Sequence, residues 1–253
     1  MSVDKIAGIL RAISGSPHPK NYTSAVIAAA GLSTRFGGET TKQMTEICSK
    51  PMLYYTLKAY QDAECIHEII IVAREEEIPF WELLCKENDI SKVSKIIVGG
   101  STRQESVRLG LDAVSTDSKF IAIADGARCL ITPDQINTVC RSAYKYNAAT
   151  AAHRSSDTVK IADKKGFIGS TADRKTVWLA QTPQVFKTNL YRAAAYTAIK
   201  KGFEATDDNS LVEEVGHAVR LVECSALNIK ITEKEDIEVA RAIISKRLSE
   251  ETK

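Results

Sequence analysis

What most constrains this chain is an alternation. From residue 24 onward, short apolar runs of strand character take turns with longer segments of helical period. The runs are Ala25–Ala30, Glu68–Val72, Lys95–Val98, Phe120–Ala124, Ala148–Ala152 and Val219–Val222. The helical segments are Pro51–Tyr60, Glu76–Glu87, Arg103–Ala113, Pro133–Tyr146 and Thr188–Lys200. A strand must bury its apolar face and a helix its apolar stripe. Their alternation predicts an α/β fold, a mostly parallel sheet with helices on both faces. Ligands in such sheets collect beyond the carboxyl ends of the strands. The polar motifs of this chain fall there. A last helix is expected to begin at a capping box formed by Thr232 and Glu235.

Composition narrows the options. With 253 residues, 44% of them hydrophobic, the chain can fill the core of one α/β domain plus an appendage. Val3, Ile6, Leu10 and Ile13 have helical spacing before the breakers Pro17 and Pro19, so residues 1–23 read as an N-terminal extension of a domain spanning 24–253. The interval from about 154 to 182 breaks the alternation and suggests a hairpin arm. A lone hairpin is marginal in water. Its Val159, Ile161, Val177 and Trp178 are therefore expected to meet a partner surface, and a homodimer is the natural candidate. The net charge is +2 and there is no long basic block, which argues against a nucleic-acid partner. The six cysteines are scattered without a CxxC pair, as expected of reduced thiols in a cytoplasmic protein without structural zinc. No apolar run approaches the roughly 18 residues of a membrane span. The N-terminus, with Asp4 and no long apolar core, does not read as a secretory signal.

Five polar clusters carry the candidate chemistry. The first strand empties into Ala28-Ala-Ala-Gly-Leu-Ser-Thr-Arg-Phe-Gly-Gly-Glu-Thr-Thr-Lys-Gln43. Small residues let backbone N–H groups approach phosphate, and Arg35 and Lys42 can neutralise a triphosphate. An ordinary turn is the competing reading. Gly99-Gly-Ser-Thr-Arg-Gln-Glu-Ser106 suits a base and ribose pocket, with Ser101 as a helix cap and Ser106 facing inward, or simply a strand–helix join. Asp125 follows a buried strand. It can hold Mg²⁺, accept a substrate hydroxyl, cap a helix or pair with Arg128. Asp157-Thr-Val-Lys160 and Asp173-Arg174 are either solvated charge or a fork for a phosphorylated substrate. Lys230 alternates with Ile229 and Ile231, so it faces away from their apolar side. Ala205-Thr-Asp-Asp-Asn209 reads most simply as a helix N-cap.

The order and joint spacing of these clusters resemble the 2-C-methyl-D-erythritol 4-phosphate cytidylyltransferase family, from about Ser24 to the final helix. The Arg35 and Lys42 loop is similar to the family's CTP loop. Gly99-Gly100 with Arg103, Ser106 and Val107 matches its Gly-Gly-x-x-Arg-x-x-Ser-Val segment, and Asp125 with Arg128 matches its Asp-Ala-Ala-Arg segment. Asp157–Lys160, Asp173-Arg174, Gln181–Gln184 and Asn228–Thr232 agree almost verbatim. The chain departs at Ser33, where the family has Gly, and at Ala124, Gly126, Cys129 and Cys224, where it commonly has His, Ala, Pro and Gly.

The resemblance implies a Rossmann-like nucleotidyltransferase fold with a protruding β-arm and cytidylyl transfer from CTP in isoprenoid synthesis. It implies Arg35, Lys42, Arg174 and Lys230 as catalytic groups. It implies CTP contacts from Ala29, Ala30, Gly31, Ser33, Arg35, Lys42, Gly99, Gly100, Ser106, Gly126 and Lys230. Asp125, Arg128, Thr158, Arg174 and Thr206 would contact the polyol phosphate, with Thr158 and Arg174 reaching across from a partner subunit. Mg²⁺ would be held largely by the CTP phosphates, with Asp125 as its candidate protein ligand. A ribitol 5-phosphate cytidylyltransferase and a non-catalytic nucleotide-binding regulator are the alternatives. A dinucleotide site is disfavoured, since Gly31, Ser33 and Phe36 occupy the places of G-x-G-x-x-G.

Overall fold

The computed structural model describes residues 19–31 and 41–251. The expected helix within residues 2–13 and the loop residues Ser33 and Arg35 lie outside the described residues. The first half of the chain runs β1 (Thr23–Ala28), β2 (Glu46–Ile47), β3 (Lys50–Pro51), α1 (Met52–Asp62), β4 (Glu68–Ala73), α2 (Ile78–Glu87), β5 (Val93–Val98), α3 (Arg103–Ala113) and β6 (Phe120–Asp125). The second half runs α4 (Pro133–Tyr146), β7 (Ala148–Arg154), β8 (Lys160–Ala162), β9 (Ile168–Thr171), β10 (Trp178–Lys187), α5 (Thr188–Lys201), α6 (Asp208–Glu214), β11 (Arg220–Glu223) and α7 (Lys234–Glu251).

Seven of these strands form one sheet in the order β11-β7-β10-β6-β1-β4-β5. β1 lies parallel to β4 and β6, β4 to β5, and β11 to β7. Only β10 runs against its neighbours in this sheet, antiparallel to both β6 and β7. β7 leads out of the sheet into the arm and β10 brings the chain back. The arm turns the chain back on itself, so the returning strand pairs antiparallel with β7.

The two-residue period of each strand divides the core. Ala25 and Ile27 of β1 face α1, α2 and α4 through Leu57, Tyr60, Trp81 and Val139. Val26, between them, faces α3, α5 and α6 through Val107, Leu111, Tyr191 and Leu211. Both faces are therefore covered, and central strands such as Glu68–Ala73 and Phe120–Asp125 are buried along their whole length. A third cluster packs Ile237, Ala240 and Ile244 of α7 on Ile47, Met52, Leu130 and Ile231. It ties the last helix to the rim where the polar motifs meet.

Several expectations need correction. The stretch from Trp178 is not arm but the start of the ten-residue strand β10, so the arm proper lies between β7 and Trp178. The polar run Gln181–Gln184 concealed this strand in the sequence. In the fold it is buried and its polar atoms are matched: Gln181 Nε2 donates to Ser225 O at 3.1 Å, and Gln184 Oε1 accepts from the N–H groups of Asp208 and Asn209. Trp178 packs beneath the Arg154 guanidinium, 4.3 Å from its ring centre. The exposed apolar groups of the arm are Ile161, Phe167 and Ile168. Thr102, not Ser101, caps α3, accepting from Glu105 N at 3.1 Å. The final helix is not capped by Thr232 and Glu235. Asp236 reaches back to the N–H groups of Thr232 and Glu233, because the helix starts later than expected. The 205–209 cluster does cap a helix, through Asp207 at the start of α6.

α3 lies against β1 because Gly110 has no side chain. A Cβ there would sit 2.4 Å from Val26 Cγ1. Alanine would gain about 1 kcal/mol in helix propensity, but overpacking a core costs about 1–3 kcal/mol. Gly110→Ala should therefore lower stability by up to about 2 kcal/mol on these scales in urea unfolding. In a Val26→Ala background, which removes the clash at its own cost in burial, the same glycine-to-alanine change should be less destabilising. Unchanged or raised stability in the single variant would show that α3 has room to shift.

Candidate active site

The carboxyl ends of β1, β4, β5 and β6 open into a cleft of about 600 Å³. On one side, Gly99 brings the turn after β5 close to the end of β1, and Gly100 leaves room for the Glu105 side chain. A Cβ on Gly99 would stand 2.4 Å from Ala30 Cβ, so only glycine permits this approach. Ser106 turns inward from α3 as expected, and its hydroxyl accepts from Gly100 N–H at 3.0 Å, fixing the turn. On the other side stand Lys42, at the start of a short 3₁₀ turn, and Lys230. The Lys42 ammonium donates to Ile231 O at 2.6 Å, which binds the loop after β1 to the segment before α7.

Asp125, the last residue of β6, lies between these walls. Its carboxylate meets Lys230 Nζ at 3.0 Å, Arg103 Nε at 3.1 Å and Arg128 Nε at 3.7 Å. Burial alone would raise the Asp125 carboxyl. Arg103, Lys230 and Arg128 outweigh it and hold the group below the usual carboxylate range. Burial also works against the Arg103 charge, but Asp208 and Asp125 raise its affinity for the proton.

Local hydrogen bonds explain how Lys230 arrives. Asn228 is 1% exposed and donates to Thr182 O at 3.0 Å. Ile231 N–H donates to Ala127 O at 2.9 Å. The two anchors fix the ends of a four-residue span, and Lys230 leans from it toward Asp125 while Ile231 enters the core. The alternation read in the sequence is thus realised, with Asp125 taking the place of bulk solvent as its partner.

Among the described residues, no three His, Cys, Asp or Glu side chains gather to hold a metal. Asp125 offers one buried carboxylate in the cleft, already opposed by cations. That donor set suits Mg²⁺ only when phosphates and water supply most of its shell.

The sequence and the fold have counterparts in known proteins. The family model of 2-C-methyl-D-erythritol 4-phosphate cytidylyltransferase matches residues 23–246. The chain belongs to this family. A protein of that name from Caldanaerobacter subterraneus subsp. tengcongensis is 43% identical, over 88% of this chain and 99% of the relative. Another from Thermosynechococcus vestitus is 38% identical, over 89% of this chain and 97% of the relative. The crystal structure of 4-diphosphocytidyl-2C-methyl-D-erythritol synthase from Anaerococcus prevotii superposes with a TM-score of 0.80 at 30% identity, covering 89% of this chain and 99% of that one.

The cytidylyltransferase family motifs can now be placed. Ala30, Gly31, Lys42, Gly99, Gly100, Ser106, Asp125 and Lys230 all line the cleft. Ala29 and Gly126 stand behind its wall. The Ala29 N–H is used by Val72 O, and that of Gly126 by Ala28 O, so neither amide is free for a ligand. Arg128 is beside Asp125 and donates to Asn228 O at 2.7 Å. Thr206 is exposed, on the loop before α6. Thr158 and Arg174 are exposed on the arm and do not line the cleft of their own chain, and Arg174 Nη1 donates to Ser156 O at 3.3 Å.

Sequence reasoning passed over two cations in the cleft. Arg74 follows β4 directly, and its Nη2 donates to Gly31 O at 3.4 Å. The rule of strand carboxyl ends would have found it. Arg103 was visible only as a motif letter, because its partner Asp208 is far away in the chain.

The depressed Asp125 carboxyl has a signed consequence. Its contribution to stability is complete above the ordinary unfolded value of about 3.9 and is lost as pH falls through its lower folded value. The stability difference between the native protein and Asp125→Asn should hold constant from about pH 8 to pH 5 and shrink below about pH 4. Urea unfolding across that range measures it. A difference already collapsing near pH 6 would contradict the ion cluster.

Proposed function

We propose that this protein transfers the cytidylyl group of CTP to 2-C-methyl-D-erythritol 4-phosphate, giving 4-diphosphocytidyl-2-C-methyl-D-erythritol and pyrophosphate. One observation carries the reading within its family. A glycine-walled cleft at the strand ends faces Lys42 and an Asp125-held group of cations. That arrangement suits two anions brought together.

The acceptor phosphate has a second pKa near 6 and is largely dianionic at neutral pH. It therefore attacks the α-phosphorus without a general base, and pyrophosphate leaves. The protein's work is alignment and charge stabilisation. Gly99, Gly100 and Ser106 hold the nucleoside end against the sheet. Lys42, with Arg35 of the same loop, neutralises the triphosphate. Lys230, held at Asp125, faces the point where the α-phosphate and the attacking oxygen meet. Arg128 and Thr206 orient the acceptor. Mg²⁺, met by Asp125 and by phosphate oxygens, would supply Lewis acidity and a template when bound.

We further propose that the arm serves a second copy of the chain. Phe167 and Ile168 on it are 70% and 66% exposed, and Thr158 and Arg174 have no place in their own cleft. In a homodimer these would cover apolar surface and complete the partner's acceptor site. We take residues 24–253 as the catalytic domain and 1–23 as an extension, which the start of β1 at Thr23 supports. Six unbridged cysteines support a reducing, cytoplasmic setting. Among the described residues no helix is long and apolar enough to cross a membrane.

A pyrophosphate-release assay with the four nucleoside triphosphates and both polyol phosphates tests the activity. CTP with methylerythritol phosphate should be preferred. Preference for ribitol 5-phosphate would move the protein to the sister activity, and no release with any pair would leave a binding protein. Removing one donor to a developing charge typically costs about 2.7–4 kcal/mol, so Lys42→Ala should lower turnover at least about a hundredfold. Near-native turnover would remove Lys42 from the mechanism. Mixing Lys42→Ala with Arg174→Ala protein should recover activity through mixed dimers that contain one intact site. No recovery after verified subunit exchange would refute the shared site.

A further inference from the structure

The guanidinium of Arg103 joins two carboxylates that come from distant parts of the chain. Its Nε is 3.1 Å from Asp125 Oδ1 at the end of β6, and its Nη1 is 2.8 Å from Asp208 Oδ2 at the start of α6. Asp208 is 1% exposed, and its other oxygen accepts from the Tyr191 hydroxyl. The next residue, Gln104, grips the same region. Its amide donates to Phe203 O at 3.2 Å and accepts from Ala205 N–H at 3.0 Å. The chain from 203 to 206 has no helix or strand of its own. Of two consecutive residues in the first turn of α3, Gln104 thus holds the loop itself and Arg103 holds Asp208, the first residue of the helix that follows it. Thr206 lies inside that loop.

We propose that Arg103 is a positioning residue for the acceptor. It sets the separation between Asp125 and the Thr206 loop, and so fixes the width of the space into which the polyol phosphate enters. This rests on the cytidylyl-transfer reading given above. Arginine suits the role because its planar fork serves two carboxylates at fixed angles, whereas a lysine ammonium is a single point charge on a flexible stem. The bridge is two-sided. Without it Asp208 is left buried without its cation, and the end of the loop loses its side-chain link to Asp125 even where Gln104 and Gln184 still hold the backbone on either side.

A merely structural role would be charge compensation for Asp208. The two roles separate in three proteins: Arg103→Met, Arg103→Lys and the double variant Arg103→Met with Asp208→Asn. The double variant removes the uncompensated carboxylate, so its melting temperature should return toward that of the native protein. Its KM for methylerythritol phosphate should stay raised tenfold or more, with the dissociation constant for CTP, measured calorimetrically without acceptor, within about threefold of native. Arg103→Lys should show the same split. Amide hydrogen exchange on the free proteins supplies a readout independent of turnover. Residues 203–207 should exchange at least tenfold faster in all three variants, while β1 and β6 keep native protection in the double variant.

Recovery of the acceptor KM together with the melting temperature would reduce Arg103 to a charge compensator. Equal losses for CTP and acceptor would place it in nucleotide binding instead. Native exchange rates at 203–207 would overturn the proposal whatever reaction the protein performs. Failure of the native protein to turn over CTP with the acceptor would count against the function and leave the exchange result to decide on Arg103.

Discussion

One buried carboxylate organises this site. Arg103, Arg128 and Lys230 come from three separate segments and would repel one another if brought together alone. Asp125 makes their assembly possible, with oxygen–nitrogen distances from 3.0 to 3.7 Å. Desolvating charges is expensive, and buried ion pairs are often no better for stability than packed apolar groups. Here the apolar clusters on the two faces of the sheet supply the driving force for folding. What the ion cluster supplies is a fixed concentration of positive charge at the sheet's edge, where an anionic substrate gains most from it.

The rigid sheet makes that arrangement durable. β6 is buried along its length between β1 and β10, so Asp125 stands at the end of a strand that cannot drift. Its backbone N–H donates to the Thr182 hydroxyl of β10 at 3.1 Å. The same strand carries Gln184, which holds the amides at the start of α6. β10 thus connects the arm to both carboxylates of the cluster. Its reversed direction is therefore functional geometry as well as topology. It lets one strand emerge from the arm and descend beside β6, next to Asp125.

Much of this was legible in the residues. The strands from Glu68, Phe120 and Ala148 announce themselves by unbroken apolar runs, because both faces of each are covered. Arg103–Ala113 and Pro133–Tyr146 declare their helices by periodicity and appear with those bounds. The glycines at 99 and 100 could be placed just after a strand and Lys42 in the loop after the first strand, while Lys230 joined them only through the family resemblance. β10 could not be read. Its buried centre is Gln-Thr-Pro-Gln, and a polar run enters a core only where distant partners satisfy each group. Nor could the Arg103–Asp208 pair, since the two residues are adjacent only after α3 and α6 have packed on the same face of the sheet.

The sequence by itself determined the layers, their order along the chain and the kinds of group available at the rim. Those follow from local period and from which residues can leave water. Tertiary structure decided which charges meet, which amides remain open to a ligand and where the arm ends. Such choices depend on distances between segments far apart in the chain. In a low-dielectric interior a few ångströms decide whether two charges are partners or strangers.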